Sequence, residues 1–441
     1  MPRKFYITTM GCQMNEYDSD YLSQLLLQDR FEASRRPEDA DLIMINTCTV
    51  RRKAEQKAYS LLGRMVSIKR KRPDTIIGLV GCIAQQEGAQ LLERFPGLDF
   101  VLGTREIGRI GEVLDRVEGT GERIAATDLN KTSLPSGHLP GYFAGKVKGY
   151  LSIMEGCDNF CSYCIVPYVR GREVSRPPKE ILSEAKSLVS QGVKEITLLG
   201  QNVNSYRPEE DDSFGFPSLL RELEEVDGLR RIRFTTSHPK DLSDDLIRCF
   251  RELRKLCPHI HLPVQSGSNR VLKLMNRGYT REKYAELIQR LRDARPDIAV
   301  TSDIIVGFPG ESDEDFHLTL DLIRKIQFDS IYSFKYSDRK GTPAASLGHK
   351  VSEEIKAKRL STLQALQKSI TLSKNKLLEG KEVEVLVEGP SKRGRQLTGR
   401  TDTNKVVNFN HHTGSLGELV KVKIKRSFAN SLRGEISSTR A

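Results

Sequence analysis

The sequence has no long apolar run, few cysteines and fewer acidic than basic residues. No stretch of its 441 residues approaches the ~18 uninterrupted apolar residues that a membrane helix needs. Residues 1–12 contain no apolar segment that would direct secretion, so we expect a cytoplasmic protein without a membrane partner. Eight cysteines are too few for a disulfide scaffold, and in a reducing compartment a cluster of them indicates metal binding or catalysis. The 70 Lys and Arg against 58 Asp and Glu leave a net charge of +12, which predicts a polyanionic partner.

The remaining composition is typical of a globular chain of several domains. With 38% hydrophobic residues, intrinsic disorder is excluded for most of the length. At ~150 residues per domain, the length predicts about three domains. Over residues 3–120, short runs rich in β-branched residues alternate with helical segments, which predicts a parallel sheet covered by helices. Residues 119–145 contain several Gly, Ser and Pro and are predicted to form a linker.

A second alternation of strands and helices occupies residues 143–373. Its six strand–helix units predict a partial (βα)6 barrel rather than a complete eightfold barrel. A helix at about Ser352–Leu378 is predicted to close this unit. Residues 376–440 change to short alternating strands separated by Gly, Pro and Asn turns, which predicts a small antiparallel β-barrel. The predicted fold class is therefore α/β with a C-terminal β-barrel.

Basic residues concentrate in this last segment. From Lys376 to Ala441 there are 13 Lys and Arg against 7 Asp and Glu, which is half of the net charge of the chain. A basic β-barrel at a terminus indicates nucleic-acid binding, and a solvated charged face is the alternative. A second basic stretch, Arg51–Arg72, has nine Lys and Arg and only Glu55 opposing. On a helix it would present either a phosphate-binding surface or a solvated face.

Three cysteines lie in the run C-D-N-F-C-S-Y-C, directly after the predicted strand Tyr150–Met154. They are Cys157, Cys161 and Cys164. Three thiolates on one tight loop can each bind one iron of a [4Fe–4S] cluster and leave the fourth iron for an exogenous ligand. The spacing does not match structural zinc sites, which use four ligands in two pairs. The carboxyl end of a barrel strand is also where barrel enzymes build their active sites.

Three further cysteines follow predicted strands of the N-terminal sheet. They are Cys12 after Phe5–Met10, Cys48 after Asp41–Thr47 and Cys82 after Ile76–Val80. Since the carboxyl ends of parallel strands share one edge, we expect these thiols to lie together. The count favours a second cluster with an open iron; a zinc site completed by His or Asp, or three unrelated buried thiols, are the alternatives. Cys249 and Cys257 have no partner at ligand spacing and are expected to be ordinary buried side chains.

Longer runs of the sequence resemble one enzyme family. The C-x3-C-x2-C loop resembles that of the radical S-adenosylmethionine (SAM) superfamily. Within it, the methylthiotransferases are closely similar to the runs T-M-G-C-Q-M-N-E-Y-D-S, I-N-T-C-T-V-R, V-G-C-I-A-Q-Q-E-G, M-E-G-C-D-N-F-C-S-Y-C-I-V-P-Y-V-R-G-R-E-V-S-R, L-L-G-Q-N-V-N-S-Y, F-T-T-S-H-P, H-L-P-V-Q-S-G-S and S-D-I-I-V-G-F-P-G-E. The resemblance covers essentially the whole chain. It implies an N-terminal methylthiotransferase domain, a radical SAM partial barrel and a C-terminal TRAM RNA-binding domain.

The resemblance also implies cofactors and a reaction. Two [4Fe–4S] clusters are implied: the SAM-binding cluster on Cys157, Cys161 and Cys164, and an auxiliary cluster on Cys12, Cys48 and Cys82. The family uses two SAM molecules per turnover, one to methylate a sulfur species at the auxiliary cluster and one to supply the radical that removes hydrogen from carbon 2 of an adenine. A tRNA substrate, an external electron donor and a sulfur donor are the implied partners, and a monomer is expected.

The implied substrate follows from two of these runs. Gly11–Ser19 and Phe234–Pro239 look most like the branch that acts on N6-isopentenyladenosine at position 37 of tRNA. Branches that act on N6-threonylcarbamoyladenosine or on a ribosomal aspartyl residue share the layout. From other classes, a non-catalytic iron–sulfur RNA-binding protein and a zinc enzyme acting on RNA bases are the alternatives. The zinc enzyme lacks support because the H-x-E and P-C-x-x-C signature of the deaminases is missing.

Several other residues are candidates for binding SAM or substrate at the predicted active face. In the superfamily, the aromatic residue at the position of Tyr163 commonly lies near the adenine of SAM. Amide and hydroxyl side chains follow the second and fourth barrel strands; they are Gln201 and Asn202 beside Gly200, and Gln265 and Ser266 beside Gly267. Arg170 and Asp303 are candidates for contact with substrate or with the SAM carboxylate. His259 and His261 alternate on one strand, and we expect core or pocket histidines rather than metal ligands.

Overall fold

The protein is described by a computed structural model. It covers residues 2–437 except Arg30, Val50, Arg51, 131–138, Asp212, Lys392, Arg393, Arg395 and 411–415. Residues 131–138 of the predicted linker and Arg51 of the basic stretch therefore lie outside the described residues, as do the last residues of the predicted C-terminal barrel.

The N-terminal unit is built on a six-stranded sheet in which every pair of neighbouring strands is parallel. Its strands are β1 Arg3–Thr9, β2 Phe31–Ala33, β3 Leu42–Thr47, β4 Ile76–Gly81, β5 Phe100–Leu102 and β6 Ile124–Ala126, in the order β2-β1-β3-β4-β5-β6. Every residue of β3 and β4 is buried, because helices cover both faces of the sheet. Strands β2 and β6 are absent from the prediction, since three-residue runs show no periodicity, and β6 lies in the predicted linker.

Five helices cover this sheet. They are α1 Gln13–Gln28, α2 Arg52–Lys69, α3 Cys82–Glu87, α4 Gln90–Arg94 and α5 Ile110–Thr120. The sequence pattern predicts a first helix from Ser19; α1 begins six residues earlier, which makes Cys12 its N-cap residue. The helix predicted over Ala84–Phe95 is two helices in the structure, because the chain adopts a positive φ of 53° at Gly88.

The central unit is the expected partial barrel. Its strands are β7 Lys148–Ser152, β8 Met154–Glu155, β9 Val174–Ser175, β10 Glu195–Leu199, β11 Arg231–Phe234, β12 His259–His261, β13 Ala299–Val306 and β14 Ser330–Lys335. Two parallel three-stranded sheets, β11-β10-β7 and β12-β13-β14, meet where Ile232 bridges to Leu256. Strand β12 ends three residues before the predicted end at Val264, because Pro263 has no N–H to donate.

Helices surround the barrel strands and complete its core. They are α6 Val166–Arg170, α7 Pro178–Ser190, α8 Phe216–Glu224, α9 Asp244–Glu252, α10 Asn269–Leu274, α11 Arg281–Ala294, α12 Asp313–Ile326 and α13 Glu353–Lys376. Side chains of α7 to α9 and α11 to α13 pack with the strands into one large apolar cluster. The short helices α6 and α10 were not predicted. Among the described residues, no helix is long and apolar enough to cross a membrane.

The C-terminal unit is a closed five-stranded barrel. Its strands are β15 Glu382–Pro390, β16 Leu397–Thr401, β17 Val406–Asn410, β18 Leu419–Ser427 and β19 Leu432–Ile436, in the order β15-β16-β17-β19-β18. Four strand pairs are antiparallel, as predicted, and the pair β17–β19 is parallel. The fifth strand, β19, was not predicted and closes the barrel.

The two outer units pack on different parts of the central barrel. Helix α1 places Met14 and Tyr17 against Leu199 and Tyr150, beside strand β7 at the open side of the partial barrel. The C-terminal barrel packs where β11 begins: Arg231 Nη1 donates to the carbonyl of Arg400 (2.8 Å). The C-terminal barrel therefore contacts the amino end of β11, whereas the cysteine loops lie at the carboxyl ends of the strands.

Candidate active site at the carboxyl ends of the barrel strands

The first cysteine set lies on one loop between β8 and α6. Two backbone hydrogen bonds fold this loop: the Cys157 N–H donates to the carbonyl of Gly171 (3.2 Å), and that of Cys164 to the carbonyl of Cys161 (2.9 Å). The loop requires Gly156, with φ of 79°, because a Cβ there would lie 1.9 Å from the Arg172 carbonyl oxygen. The loop that carries the three thiols therefore lies at the carboxyl end of β7, where the sequence predicts an active-site loop.

The thiols of this set are largely withdrawn from solvent. Burial raises the pKa of Cys157 to about 11 and that of Cys164 to about 12. The Asn159 amide donates to Cys157 Sγ (3.4 Å), and the Arg277 guanidinium donates to Cys161 Sγ (3.2 Å). Thiols with a raised pKa are protonated at neutral pH, and they release their protons when they bind a metal as thiolates.

The second cysteine set lies at three adjoining strand-to-helix turns of the N-terminal sheet. Cys12 is exposed and precedes α1, whereas Cys48 and Cys82 are buried after β3 and at the start of α3. A hydrogen bond between the Cys12 and Cys48 side chains lowers the pKa of Cys12 to about 6, although partial desolvation of the Cys12 sulfur by its neighbours opposes this. Burial raises the pKa of Cys82, against the attraction of the nearby Arg170 guanidinium.

Both donor sets consist of three thiols, and three thiols fit a [4Fe–4S] cluster with one open iron. Such a cluster binds each cysteine through a different iron, so its ligands do not need to converge on one point. Among the described residues, no three His, Cys, Asp or Glu side chains are arranged to hold a single metal ion.

The two cysteine sets lie on the two sides of the interface between the N-terminal unit and the barrel. Cys82 packs in one small buried cluster with Ile165 and Val169. Ile165 is the residue after Cys164, so Cys82 of the second set packs directly against the neighbour of a cysteine of the first set.

Arg170, at the end of α6, bridges the same interface. Its guanidinium donates to Asp18 of α1 (2.5 Å) and to Glu155 of β8 (3.4 Å), and all three side chains are buried. The structure thus places the Arg170 guanidinium in an internal ion-pair network, and its contact with substrate or with the SAM carboxylate stays a prediction. Asp303 contacts His261 instead, with 3.5 Å between Oδ1 and Nε2, and remains partly exposed inside the barrel.

Three predicted ligand-binding residues present polar groups at the strand ends. Gln201 accepts a hydrogen bond from the Gly156 N–H through Oε1 (2.5 Å), which ties the second strand end to the cysteine loop. Asn202 donates to Asp241 (2.8 Å), and its Oδ1 is buried without a partner in the described structure. Gln265 also buries an Oε1 that has no partner there. Unpaired buried polar atoms are costly and mark places where a ligand completes the hydrogen bonding.

Two other predicted residues have internal contacts. Ser266 is buried, and its Oγ accepts a hydrogen bond from the Ser268 N–H (3.2 Å). This bond gives Ser266 a role in shaping the loop before α10. Tyr163 packs its ring against the buried cluster that includes Met275 and Phe308. The aromatic side chain is thus anchored between the cysteine loop and α10.

His238, which the sequence analysis did not single out, belongs to the same polar group. It lies in the F-T-T-S-H-P run and is buried, with Nδ1 accepting from the Lys240 N–H (3.2 Å). Burial and the positive Arg277 lower the pKa of His238 to about 2, so the ring is neutral and its proton is on Nε2. That Nε2 is buried and has no partner among the described residues. The only signal in the sequence was the position of the run after a barrel strand.

Internal contacts hold His259 and His261, and burial describes the two other cysteines. His259 and His261 share Thr301 Oγ1 as a hydrogen-bond partner, at 3.3 and 3.0 Å. Cys249 is fully buried in the barrel core, and Cys257 is 3% exposed.

Comparison with known proteins identifies the family. Family models match residues 4–103 (Uncharacterized protein family UPF0004), 151–323 (Radical SAM superfamily) and 376–437 (TRAM domain). A tRNA-2-methylthio-N(6)-dimethylallyladenosine synthase of Syntrophus aciditrophicus is 52% identical over 98% of this chain and 94% of its own length. A protein of the same name from Geobacter metallireducens is 50% identical over 98% of both chains. The chain belongs to this family.

Membership confirms the resemblance, the fold class and the enzyme class inferred from the sequence. The chain is a tRNA methylthiotransferase of the radical SAM superfamily with a TRAM domain. Among solved structures, the radical SAM methyltransferase TsrM from Kitasatospora setae matches with a TM-score of 0.58 and 17% identity over 78% of this chain and 77% of TsrM. The radical enzyme OxsB matches with a TM-score of 0.54 and 14% identity over 83% of this chain and 56% of OxsB. These two matches show a shared fold.

Proposed function

We propose that this methylthiotransferase installs a methylthio group on carbon 2 of N6-isopentenyladenosine at position 37 of tRNA. Two [4Fe–4S] clusters, on Cys157, Cys161 and Cys164 and on Cys12, Cys48 and Cys82, and two SAM molecules per turnover are part of the proposal. Its main support is the packing of Cys82 against Ile165 and Val169. Sulfur carried at one cysteine set can reach a carbon activated at the other only if the two sets are neighbours, and this contact makes them neighbours.

The chemistry of the proposed reaction does not depend on a side chain that acts as acid or base at carbon 2. An aryl C–H bond has no proton that a side chain can remove at neutral pH. When bound, the cluster on the C-x3-C-x2-C loop supplies the electron for radical formation from SAM. The protein side chains have to bind, orient and exclude water. The unpartnered atoms of Asn202, His238 and Gln265 are suited to this task, because a SAM molecule or a nucleobase offers complementary donors and acceptors.

The RNA-binding part of the proposal rests on the TRAM domain and on its charge. Lys421, Lys423 and Lys425 form an exposed row on β18. Cross-strand glutamates oppose this row: Glu384 pairs with Lys421 in register, and Lys425 Nζ lies 3.1 Å from Glu435. The positive charge of this row is therefore partly neutralised, and the proposal predicts that RNA binding weakens with rising salt concentration.

We further propose three functional domains within a cytoplasmic monomer: residues 3–120 for the auxiliary cluster, 143–373 for radical SAM chemistry and 376–440 for RNA. An external electron donor and a sulfur donor complete the set of partners.

Mass spectrometry of nucleosides from defined tRNAs tests the proposed substrate. The reconstituted enzyme, with SAM and a reductant, should convert tRNA that carries N6-isopentenyladenosine to its 2-methylthio derivative and leave unmodified tRNA unchanged. A matched tRNA with N6-threonylcarbamoyladenosine should also remain unchanged. If only this second tRNA gains a methylthio group, the assigned substrate is wrong while the enzyme class stands.

A further inference from the structure

Arg277 is a buried cation without a carboxylate partner. The residue is 4% exposed, and its guanidinium donates to Cys161 Sγ (3.2 Å), the Pro263 carbonyl (2.7 Å) and Tyr279 Oη (2.9 Å). Within the described parts of the chain, no Asp or Glu oxygen lies within 4.0 Å of its nitrogens, whereas other buried arginines of the barrel have such a partner. These are Arg176 with Glu184, Arg233 with Glu195 and Arg359 with Glu311. A buried charge without an opposite charge is costly, so an anion is expected beside Arg277.

We propose that Arg277 is the counter-charge of the iron–sulfur cluster on the C-x3-C-x2-C loop and raises its reduction potential. The inference rests on the proposed function in one respect, the assignment of a four-iron cluster to Cys157, Cys161 and Cys164. Three thiolates on an oxidised [4Fe–4S] core give a net negative charge, and one-electron reduction adds a second negative charge. A fixed cation therefore stabilises the reduced form more than the oxidised form, as hydrogen bonds to cluster sulfurs do.

Hydrogen bonds join the segment before Arg277 to the cysteine loop. Ser162 donates through its N–H to the Met275 carbonyl (3.0 Å) and through Oγ to the Leu274 carbonyl (2.8 Å). The Asn276 amide, on a residue with φ of 57°, donates to the carbonyls of Asn159 (3.3 Å) and Phe160 (3.1 Å). These four bonds fasten the segment after α10 to the loop. The bonds of the guanidinium to the Pro263 carbonyl and Tyr279 Oη then hold its charge beside Cys161, so Arg277 is a positioning residue.

The test compares reduction potentials in a protein that retains only this cysteine set. Cys12, Cys48 and Cys82 are replaced by Ala, the protein is reconstituted anaerobically, and the cluster potential is measured by redox titration monitored by electron paramagnetic resonance. Arg277→Gln should shift the potential to more negative values. Arg277→Lys should recover part of the shift, because it restores the charge without the planar donor geometry. The matched control is Arg172→Gln, whose side chain is 74% exposed and pairs with Asp158 near the same loop; its potential should equal that of the parent.

Iron content reports whether each variant binds the cluster, and circular dichroism reports whether it is folded. If the parent protein binds no four-iron cluster, the proposed cluster site is wrong, independently of Arg277. If the parent binds one and Arg277→Gln keeps the parent potential, the counter-charge role is wrong. If folded Arg277→Gln loses iron while Arg277→Lys retains it, the requirement for a positive charge is supported. Loss of iron from both variants with an intact fold would contradict the proposal, because a charge requirement predicts rescue by Lys.

Discussion

At the scale of single residues, Gln265 combines a strained backbone with an unpaired side chain. It has a positive φ of 71°, and its N–H and carbonyl are bonded to Asp303 (2.9 Å) and Ile305 (3.0 Å) of β13. A non-glycine residue in this region costs about 1 kcal/mol. Its buried Oε1 without a partner adds a cost of about 1–3 kcal/mol. Backbone strain of this kind at the end of a barrel strand indicates a function that requires the Gln265 side chain.

Gln265→Gly should therefore separate stability from binding. Glycine removes both the backbone strain and the unpartnered Oε1, so the melting temperature should equal or exceed that of the parent. The affinity for SAM should fall about tenfold, because one neutral hydrogen-bonding group is lost. Thermal unfolding and equilibrium dialysis of SAM with reconstituted protein measure the two effects. The matched control is Gln327→Gly, since Gln327 has a positive φ of 55° at the exposed end of α12. Equal SAM affinity in the two variants would show that Gln265 does not bind SAM.

At the scale of secondary-structure elements, Asp315 ties two helices together. It is the third residue of α12 and forms a capping box with Ser312, and its Oδ1 accepts from Oγ of Ser268, the N-cap residue of α10 (2.5 Å). Burial raises its pKa, but bonds from Arg270, Ser268 and Ser312 outweigh burial and lower the pKa of Asp315 to about 2. The position of α10, and with it that of Tyr163 and Arg277, depends on this carboxylate.

Asp315→Asn should destabilise the protein in a pH-dependent way. Because the folded-state pKa lies below the unfolded value of about 3.9, the carboxylate stabilises the fold above pH 4, by about 2 kcal/mol, and this contribution is lost as the pH falls towards 2. Urea unfolding of both proteins at pH 7 and at steps below pH 5 measures the difference. The control is Asp313→Asn, whose carboxylate is 85% exposed and should matter little. A difference that is constant with pH would contradict an ionised Asp315.

At the scale of the whole molecule, the two outer units pack on different parts of the central barrel. Helix α1 closes the open side of the barrel, and the buried Arg170 joins Asp18 to Glu155 across that interface. The TRAM domain is fixed at the opposite ends of the strands, where Arg233 donates to the carbonyls of Thr401 and Asp402, both at 2.7 Å. RNA that contacts the TRAM domain must therefore extend along the side of the barrel to reach the cysteine loops.

Iron content tests whether the two cysteine sets act as independent sites in this assembly. Anaerobically reconstituted protein should bind about eight irons per chain, as two four-iron clusters require. Replacement of Cys157, Cys161 and Cys164 by Ala should leave about four irons. The matched control replaces the buried pair Cys249 and Cys257, which should leave about eight. Loss of all iron from the first variant would argue against independent sites.

The regular elements with strong local signals were predicted well. The sequence pattern predicts strands over Glu195–Leu199 and Ala299–Val306 and helices over Arg281–Ala294 and Asp313–Ile326, and β10, β13, α11 and α12 have these bounds. Turn residues and the N-cap residues Thr280 and Ser312 mark where they begin. The elements that were missed, such as β8, β9 and α6, have two to five residues. Such short segments form because neighbouring chain segments pair with them, and they are too short to show a periodicity that would predict them.

The sequence by itself determined the partial barrel, the family and the two sets of three cysteines, because the spacing of ligands and the alternation of strands and helices are local properties of the chain. Only the tertiary structure showed that Arg170 pairs with Asp18 across an interface and that Ser266 accepts a hydrogen bond within its loop. It also showed that Nε2 of His238 is buried without a partner among the described residues and that Arg277 donates to Cys161. Arg277 and Cys161 are 116 residues apart. Their contact depends on how the barrel closes, and a local pattern contains no information about that distance.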